Sequence, residues 1–343
     1  MEYGYSLITQ IKIYNTDPIC SIDLNDELLL FGTMLGYCGY YLIKPKEKLI
    51  KISEKEDEHI SATQIRKNKL CIAVGDEKVI IVEKNLEEND DDNIKEVFNY
   101  EDDSDHFKHC ERTFCMLKEN LLLSIELNIP KEDEKISKKN SCDWSVKNID
   151  NNKSFNGEIE MYNFWAPFDF DGKLLIFVEF LSEEKRYFNI YSCYDKKYLK
   201  KIKLWKEKDY IGHISHAKFF GEKNKKIFLV HSYNKCQIRD MDFKLIKEFQ
   251  HGGKEIIACD IYWKTEGKLK VCLVDINCDV FLYEEKNDEE KYLLNLHKLN
   301  CIDEEIKQQK FFSMGYPYFV KYHKNIIAIS TDQGCFLLKK EDF

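Results

Sequence analysis

Gly212-His213, then Ile227-Phe228-Leu229-Val230, then Ser232 and Asn234 ahead of Ile238-Arg239-Asp240-Met241-Asp242, and last Leu245-Ile246-Lys247-Glu248-Phe249 form the stretch on which the fold reading turns. Short apolar runs are cut by polar turn residues, and none carries an apolar stripe at helical spacing over more than a few turns. Such alternation is the pattern of half-buried β-strands. Outward from this block, runs rich in Ile, Val, Leu, Phe and Tyr recur roughly every 10 residues between clusters of Asn, Asp, Gly and Lys, the layout of an all-β sandwich, barrel or propeller. They group into blocks of up to four strands that begin near Pro18, Ile60, Arg112, Met161, Ile214, Glu255 and Ser313.

One fragment, a turn leading into an alternating strand that ends on a large side chain, recurs across the blocks. It reads Asp76-Glu77-Lys78-Val79-Ile80-Ile81-Val82-Glu83 in one and Asn277-Cys278-Asp279-Val280-Phe281-Leu282-Tyr283-Glu284 in another, with weaker copies ending at Tyr41, Tyr191, Met241-Asp242 and Leu338. On these residues the chain resembles the WD-repeat family, whose blade runs apolar strand, Asp-Gly-type turn, third strand and closing Trp-Asp. The block quoted first is similar over nearly its whole length, with Met in place of Trp and one inserted residue. The resemblance implies His213 as structural histidine, Ser232 as strand hydroxyl and Asn234 as candidate for the turn Asp, in a hydrogen-bonded network that stiffens the blade. Elsewhere the Gly-His pair is missing or scrambled, as in His251-Gly252-Gly253, so packing alone is expected to hold most blades.

The fold implied is all-β: a single seven-bladed β-propeller domain over residues 1–343. Seven blocks average about 49 residues against the roughly 40–45 of a WD-type blade, and the excess falls in charged insertions at 86–105 and 130–140, expected to be loops. The last block supplies only three strands, near Tyr318, Ile326 and Phe336, while Ser6-Leu7-Ile8-Thr9-Gln10-Ile11-Lys12-Ile13-Tyr14 is an orphan alternating strand. The N-terminal strand is therefore expected to close the last blade and remove its free edge.

Composition agrees with a large folded core: 43% of the residues are hydrophobic, with 22 Phe and 20 Tyr, where disordered chains are poor in both aromatic and β-branched side chains. No basic-then-apolar leader and no apolar run of membrane-spanning length is readable, so the expected location is the cytoplasm, with the nucleus open. The 13 Cys are scattered singly, several inside apolar runs (Cys20, Cys71, Cys115, Cys259 and Cys272), as reduced core thiols are. A net charge of -9 argues against duplex nucleic acid as partner.

No glycine loop of the nucleotide-binding type and no Gly-x-Ser-x-Gly elbow is present. Gly32, Gly36 and Gly39 lie between strands with no helix after them, as turn and bulge glycines. His106, His109, Cys110 and Cys115 are of the right types for zinc, but their spacing fits no standard zinc module and Cys115 belongs to an apolar strand. Neither a metal nor a cofactor is expected. The lone histidines His59, His216, His231, His297 and His323 flank strands, and Tyr162, Phe164, Trp165, Phe168 and Phe170 read as core.

In a WD-type blade the loops joining successive blades and those joining second to third strands open on one face. Here they hold Glu56, Asp57, Glu58, Asp102, Asp103, Glu183, Glu184 and Glu304, while loops of the opposite face carry Lys44, Lys46, Lys48, Arg66, Lys67, Lys69, Lys196, Lys197, Lys223, Lys225, Lys226, Lys321 and Lys324. The expected function is a non-enzymatic protein-interaction scaffold or adaptor, monomeric within a larger intracellular complex, with a basic partner on the acidic face. Two alternatives stay open: a propeller enzyme with a central-channel site, and phosphoinositide or membrane-surface binding through the basic face, although the paired-arginine motif of the latter is absent.

Overall fold

The computed structural model describes residues 5–11, 17–44, 48–52, 59–66, 69–74, 78–83, 93–99, 113–128, 140–151, 153–161, 164–182, 185–204, 214–222, 224–231, 235–263, 269–284, 289–296, 319–331 and 334–340. Among them no α-helix occurs. The chain divides into two compact units, one of residues Met1–Ile60 with His213–Phe343 and one of Ser61–Gly212.

In the first unit β1 (Tyr5–Ile11) stands apart from the strands that follow it. Blade 1 is β2 (Ile19–Leu24), β3 (Leu28–Thr33), β4 (Cys38–Leu42) and β5 (Lys48–Lys51), hydrogen-bonded in that order. In the second unit blade 2 is β6 (Ile60–Arg66), β7 (Lys69–Val74), β8 (Lys78–Glu83) and β9 (Asn93–Asn99). Blade 3 is β10 (Thr113–Lys118), β11 (Leu121–Asn128), β12 (Asn140–Asn148) and β13 (Ser154–Met161), and blade 4 is β14 (Phe164–Phe170), β15 (Leu174–Ser182), β16 (Lys185–Ser192) and β17 (Lys197–Lys203). The first unit resumes with blade 5, β18 (Ile214–Phe220), β19 (Lys226–His231), β20 (Lys235–Asp240) and β21 (Leu245–Gln250). Blade 6 is β22 (Ile256–Trp263), β23 (Leu269–Asp275), β24 (Asp279–Glu284) and β25 (Glu289–Asn295). Blade 7 has β26 (Phe319–His323), β27 (Ile326–Thr331) and β28 (Gly334–Lys340), and takes its fourth strand from β1, which pairs antiparallel with β28 from Tyr5 opposite Lys340 to Ile11 opposite Cys335. The blades open at, or a few residues after, the block starts read from the sequence, and the N-terminal closure is as expected.

Burial explains the patterning. Second strands are covered on both faces and carry unbroken apolar runs: every residue of Leu28–Thr33 and of Ile326–Thr331 is buried. Fourth strands have one wet face and alternate, as along Lys197–Lys203. In the first unit the blade 7/blade 1 core packs Ile11, Ile19, Leu29, Phe31, Ala328 and Leu337, and the blade 6/blade 7 core packs Tyr5, Cys272, Val274, Ile327 and Phe336. The second unit is centred on Trp144, which meets Phe155 and Tyr191 edge to face at 5.9 and 6.0 Å. Gly157 lies opposite it in the ladder, and a Cβ there would come within 2.7 Å of the indole. Hairpin turns are locked by short polar side chains: the Asp171 carboxylate accepts the Lys173 and Leu174 N–H groups, and Asn25 does the same for Glu27 and Leu28.

The expected loop at 86–105 is corrected in part: it contains β9, the outer strand of blade 2. Ile94, Val97 and Phe98 lie opposite Val82, Ile80 and Val79. An outer strand needs partners on one side only, so a short apolar run with acidic flanks suffices. Of the second insertion, 129–139 lie outside the described residues and Asn140 already begins β12.

Candidate functional site

Within the first unit, charged side chains on the first strands lace consecutive blades together. Lys218 on β18 donates to Asp260 Oδ1 on β22 at 2.6 Å, and the Tyr322 N–H of β26 donates to Asp260 Oδ2 at 2.9 Å. Lys321, beside Tyr322, reaches Asp23 Oδ1 on β2 at 3.4 Å, while His323 and Lys324 both contact Asp26. Burial alone pushes the Asp260 carboxyl up, but the charges of Lys218 and Lys321 and the two hydrogen bonds outweigh it and hold it below the ordinary range. His216, two residues before Lys218, is driven down to about 4 by burial and then by the Lys218 charge, and so is neutral at physiological pH.

A second built feature lies at the end of the blades where second strands turn into third strands and where first strands start. Asp275, at the end of β23, is buried and accepts from the Lys254 N–H at 3.1 Å and from the Asn277 and Asp279 N–H groups at 2.9 Å each. The buried His251 places Nε2 3.5 Å from the His231 carbonyl oxygen. Burial lowers the His251 pKa, opposed by its backbone hydrogen bonds to His231 and Gly253 and by the charge of Asp275. A loop histidine and a turn aspartate thus lie buried near one another at blade 6, each bonded to backbone and coupled only through charge. His251-Gly252-Gly253 was the signal, in reversed order.

The same end carries large apolar side chains in water. Met34 and Leu35, in the β3–β4 turn, are 51% and 49% exposed; Ile276, in the β23–β24 turn, is 37% exposed; Phe319, first residue of β26, is 43% exposed. Backbone bonds fix the two turns, the Met34 N–H donating to the Pro18 carbonyl at 3.0 Å and the Ile276 N–H to the Glu255 carbonyl at 2.8 Å. These residues belong to blades 1, 6 and 7, whose first strands pack in succession. Sequence reasoning missed them; an apolar pair inside a glycine-bounded turn, Thr33-Met34-Leu35-Gly36, is the sign that was available.

Of the residues singled out from sequence, Glu56, Asp57, Glu58, Asp102, Asp103, Glu183, Glu184 and Glu304 lie outside the described residues, as do His213, Ser232 and Asn234. So do His106, His109 and Cys110; Cys115 sits half-buried on β10, its sulfur 3.6 Å from the Ser124 hydroxyl. On the side read as basic, Arg66, Lys321 and Lys324 are engaged with Asp150, Asp23 and Asp26, so acids there offset part of the lysine charge.

The WD40 β-propeller domain of Doa1 matches 99% of this chain with 98% of its own, at a TM-score of 0.62 and 10% identity. Sqt1 of Saccharomyces cerevisiae matches with full coverage of both chains, at a TM-score of 0.57 and 10% identity. No protein-family model and no curated protein matches the chain. Identity this low speaks for architecture and not for activity. Seven four-stranded meanders, the N-terminal strand completing the last, and end-to-end agreement with these two structures give the chain the seven-bladed β-propeller fold of the WD40 type.

Proposed function

We propose that the chain is a non-enzymatic protein-interaction scaffold, an adaptor within an intracellular complex, and that it meets its partner at the end of blades 6, 7 and 1 where second strands turn into third. The observation that carries this is the group Met34, Leu35, Ile276 and Phe319, water-exposed on three successive blades. Large apolar side chains held on bonded turns lose little freedom on binding and gain from leaving water, which is how interface anchors work. The sequence adds the expectation of an acidic docking face with Glu56, Asp57, Glu58 and Glu304 among its residues, so the partner is taken to present basic residues beside its apolar anchors. The described cysteines form no disulfide with one another and nine of them are buried, which fits a reducing compartment.

Two observations weigh against the alternatives. Asp260 is held by Lys218 and the Tyr322 N–H with its pKa depressed, which makes it a weak base. The ion pairs of Arg66, Lys321 and Lys324 reduce the charge offered to an anionic membrane.

The test is quantitative cross-linking mass spectrometry on the tagged chain in its native cell, comparing wild type, Met34→Ser with Leu35→Ser, and Glu56→Lys with Asp57→Lys. The proposal expects the same set of cross-linked proteins to fall at least about fivefold with either pair, at unchanged thermal stability. Unchanged cross-linking with both pairs overturns it.

A further inference from the structure

Blade 4 ends in the most cationic strand of the described chain. From the turn into β17 the sequence runs Lys196-Lys197-Tyr198-Leu199-Lys200-Lys201-Ile202-Lys203, five lysines in eight residues with no acid among them. The preceding acid, Asp195, is tied into the turn, its carboxylate accepting the Ser192 hydroxyl at 2.9 Å while its own N–H donates back to that hydroxyl at 3.1 Å, and a single acid leaves the row of five lysines strongly cationic. Lys196 sits at φ 52°, the left-handed conformation that closes the hairpin, so the turn presents its side chains from a fixed backbone.

Along the strand Lys197, Leu199, Lys201 and Lys203 are exposed, and Tyr198, Lys200 and Ile202 are half-buried. The middle cation is an internal anchor: Lys201 Nζ contacts the buried Glu179 at 2.6 Å and lies 5.0 and 5.2 Å from the ring centres of Tyr187 and Tyr198. Lysines on an outer strand are the ordinary guard against strand addition, and that accounts for some of the charge. It does not account for the apolar groups set among the lysines. Tyr194 at the turn is 76% exposed and Leu199 is 40% exposed. Leu199 is also the extra residue of a bulge, opposite the step between Ile190 and Tyr191. A bulge twists an edge away from further strand pairing, so a ligand here is gripped by side chains and not added as a fifth strand.

We propose that β17 and the turn before it form a second docking surface, for an acidic protein segment in which apolar or aromatic residues are interspersed with Asp and Glu. Lys196, Lys197 and Lys203 meet its carboxylates, and Tyr194 with Leu199 take its apolar side chains. Charge complementarity selects the partner and the apolar pair distinguishes it from a bare polyanion. The surface lies wholly within blade 4 and is independent of the blade 6, 7 and 1 end.

Fluorescence anisotropy with the full chain and a labelled peptide alternating Glu with Leu and Phe tests this. The peptide is expected to bind, to weaken at least about tenfold as salt rises from about 0.05 M to about 0.3 M, and to weaken roughly tenfold in Lys197→Glu with Lys203→Glu. Tyr194→Ser with Leu199→Ser is expected to cost several-fold, which a purely electrostatic contact would not. Lys225→Glu with Lys226→Glu, the same charge change on blade 5, is expected to leave binding unchanged, and melting curves check that each variant folds. Absence of peptide binding overturns the proposal, as does equal loss in the blade 5 variant. So does stronger binding of phosphatidylserine vesicles, of single-stranded nucleic acid or of all-Glu peptide than of the mixed peptide.

Discussion

Replacing Asp260 by Ala should loosen the first unit by an amount that follows from its surroundings. The substitution leaves the Lys218 ammonium without the carboxylate at 2.6 Å and the Tyr322 N–H without its acceptor. Breaking a fully buried ion pair from one side costs about 3–5 kcal/mol. Lys218 keeps 24% of its side chain exposed, so water recovers part of that, and about 2 kcal/mol is the fitting share. Loss of the backbone hydrogen bond adds about 1 kcal/mol. The sum of about 3 kcal/mol corresponds to roughly 6–12 °C in melting temperature for a unit of this size. The pH dependence has a definite sign. The folded Asp260 pKa is depressed, so its contribution is complete above the unfolded carboxyl value of about 3.9 and is lost as pH falls through the lower folded value. The gap between wild type and Asp260→Ala should therefore be constant from about pH 5 to pH 8 and close below about pH 4. Converting both partners, Asp260→Leu with Lys218→Met, should restore more than half of the loss, since an apolar pair of like size often replaces a buried ion pair at little cost. Differential scanning calorimetry across pH, with hydrogen exchange on β18, β22 and β26, reads all three. A shift under about 2 °C for Asp260→Ala, or a gap that does not close in acid, refutes the reasoning.

His216 folds neutral with its pKa down near 4 against 6.5 in the unfolded chain; the unfolded chain takes the proton first, so stability should fall as pH drops from 6.5 towards 4, and His216→Gln should flatten that limb of a stability–pH profile. Gly157→Ala drives a methyl into the Trp144 indole and should cost about 1–3 kcal/mol, with an altered near-ultraviolet tryptophan signal; an unchanged melting curve would remove Trp144 as the packing centre. Deleting residues 1–11 strips β1 from β28 and exposes a paired edge together with the core seats of Tyr5 and Ile11, so light scattering should show association or aggregation of the shortened chain at concentrations where the full chain is monodisperse.

Blade positions were readable because strand patterning is local. Covered strands such as Leu28–Thr33 and Ile326–Thr331 spell continuous apolar runs, and the orphan strand at Tyr5–Ile11 was visible as one too many at one terminus and one too few at the other. β9 was not readable, since its short apolar run lies between acidic segments and an outer strand carries little hydrophobic demand. The lacing by Lys218, Asp260, Lys321 and Asp23 escaped for another reason: its members lie on β18, β22, β26 and β2, far apart in sequence, and each alone looks like an ordinary surface charge. The buried places of His251 and Asp275 were hidden by reversal of the Gly-His order and because each is held by backbone groups that sequence does not display.

Charge in this chain divides by where it can be satisfied. On the first strands, cations and acids of consecutive blades face one another and are consumed, Lys218 with Asp260 and Lys321 with Asp23, and in the second unit Arg66 at the end of β6 is taken by Asp150 in the β12–β13 turn. Such pairs add rigidity between blades and offer little to a ligand. On β17 and the turn before it, Lys196, Lys197 and Lys203 stand exposed beside the anchored Lys201, with two apolar side chains for neighbours, so the surface has specificity to give as well as charge. At the end of blades 6, 7 and 1, the exposed groups in described residues are chiefly apolar, where burial against a partner supplies affinity that solvated charges would not. With two unlike surfaces, one in each unit, the chain has a place for two different partners, and the Met34/Leu35 and Lys197/Lys203 variants should therefore abolish different partners.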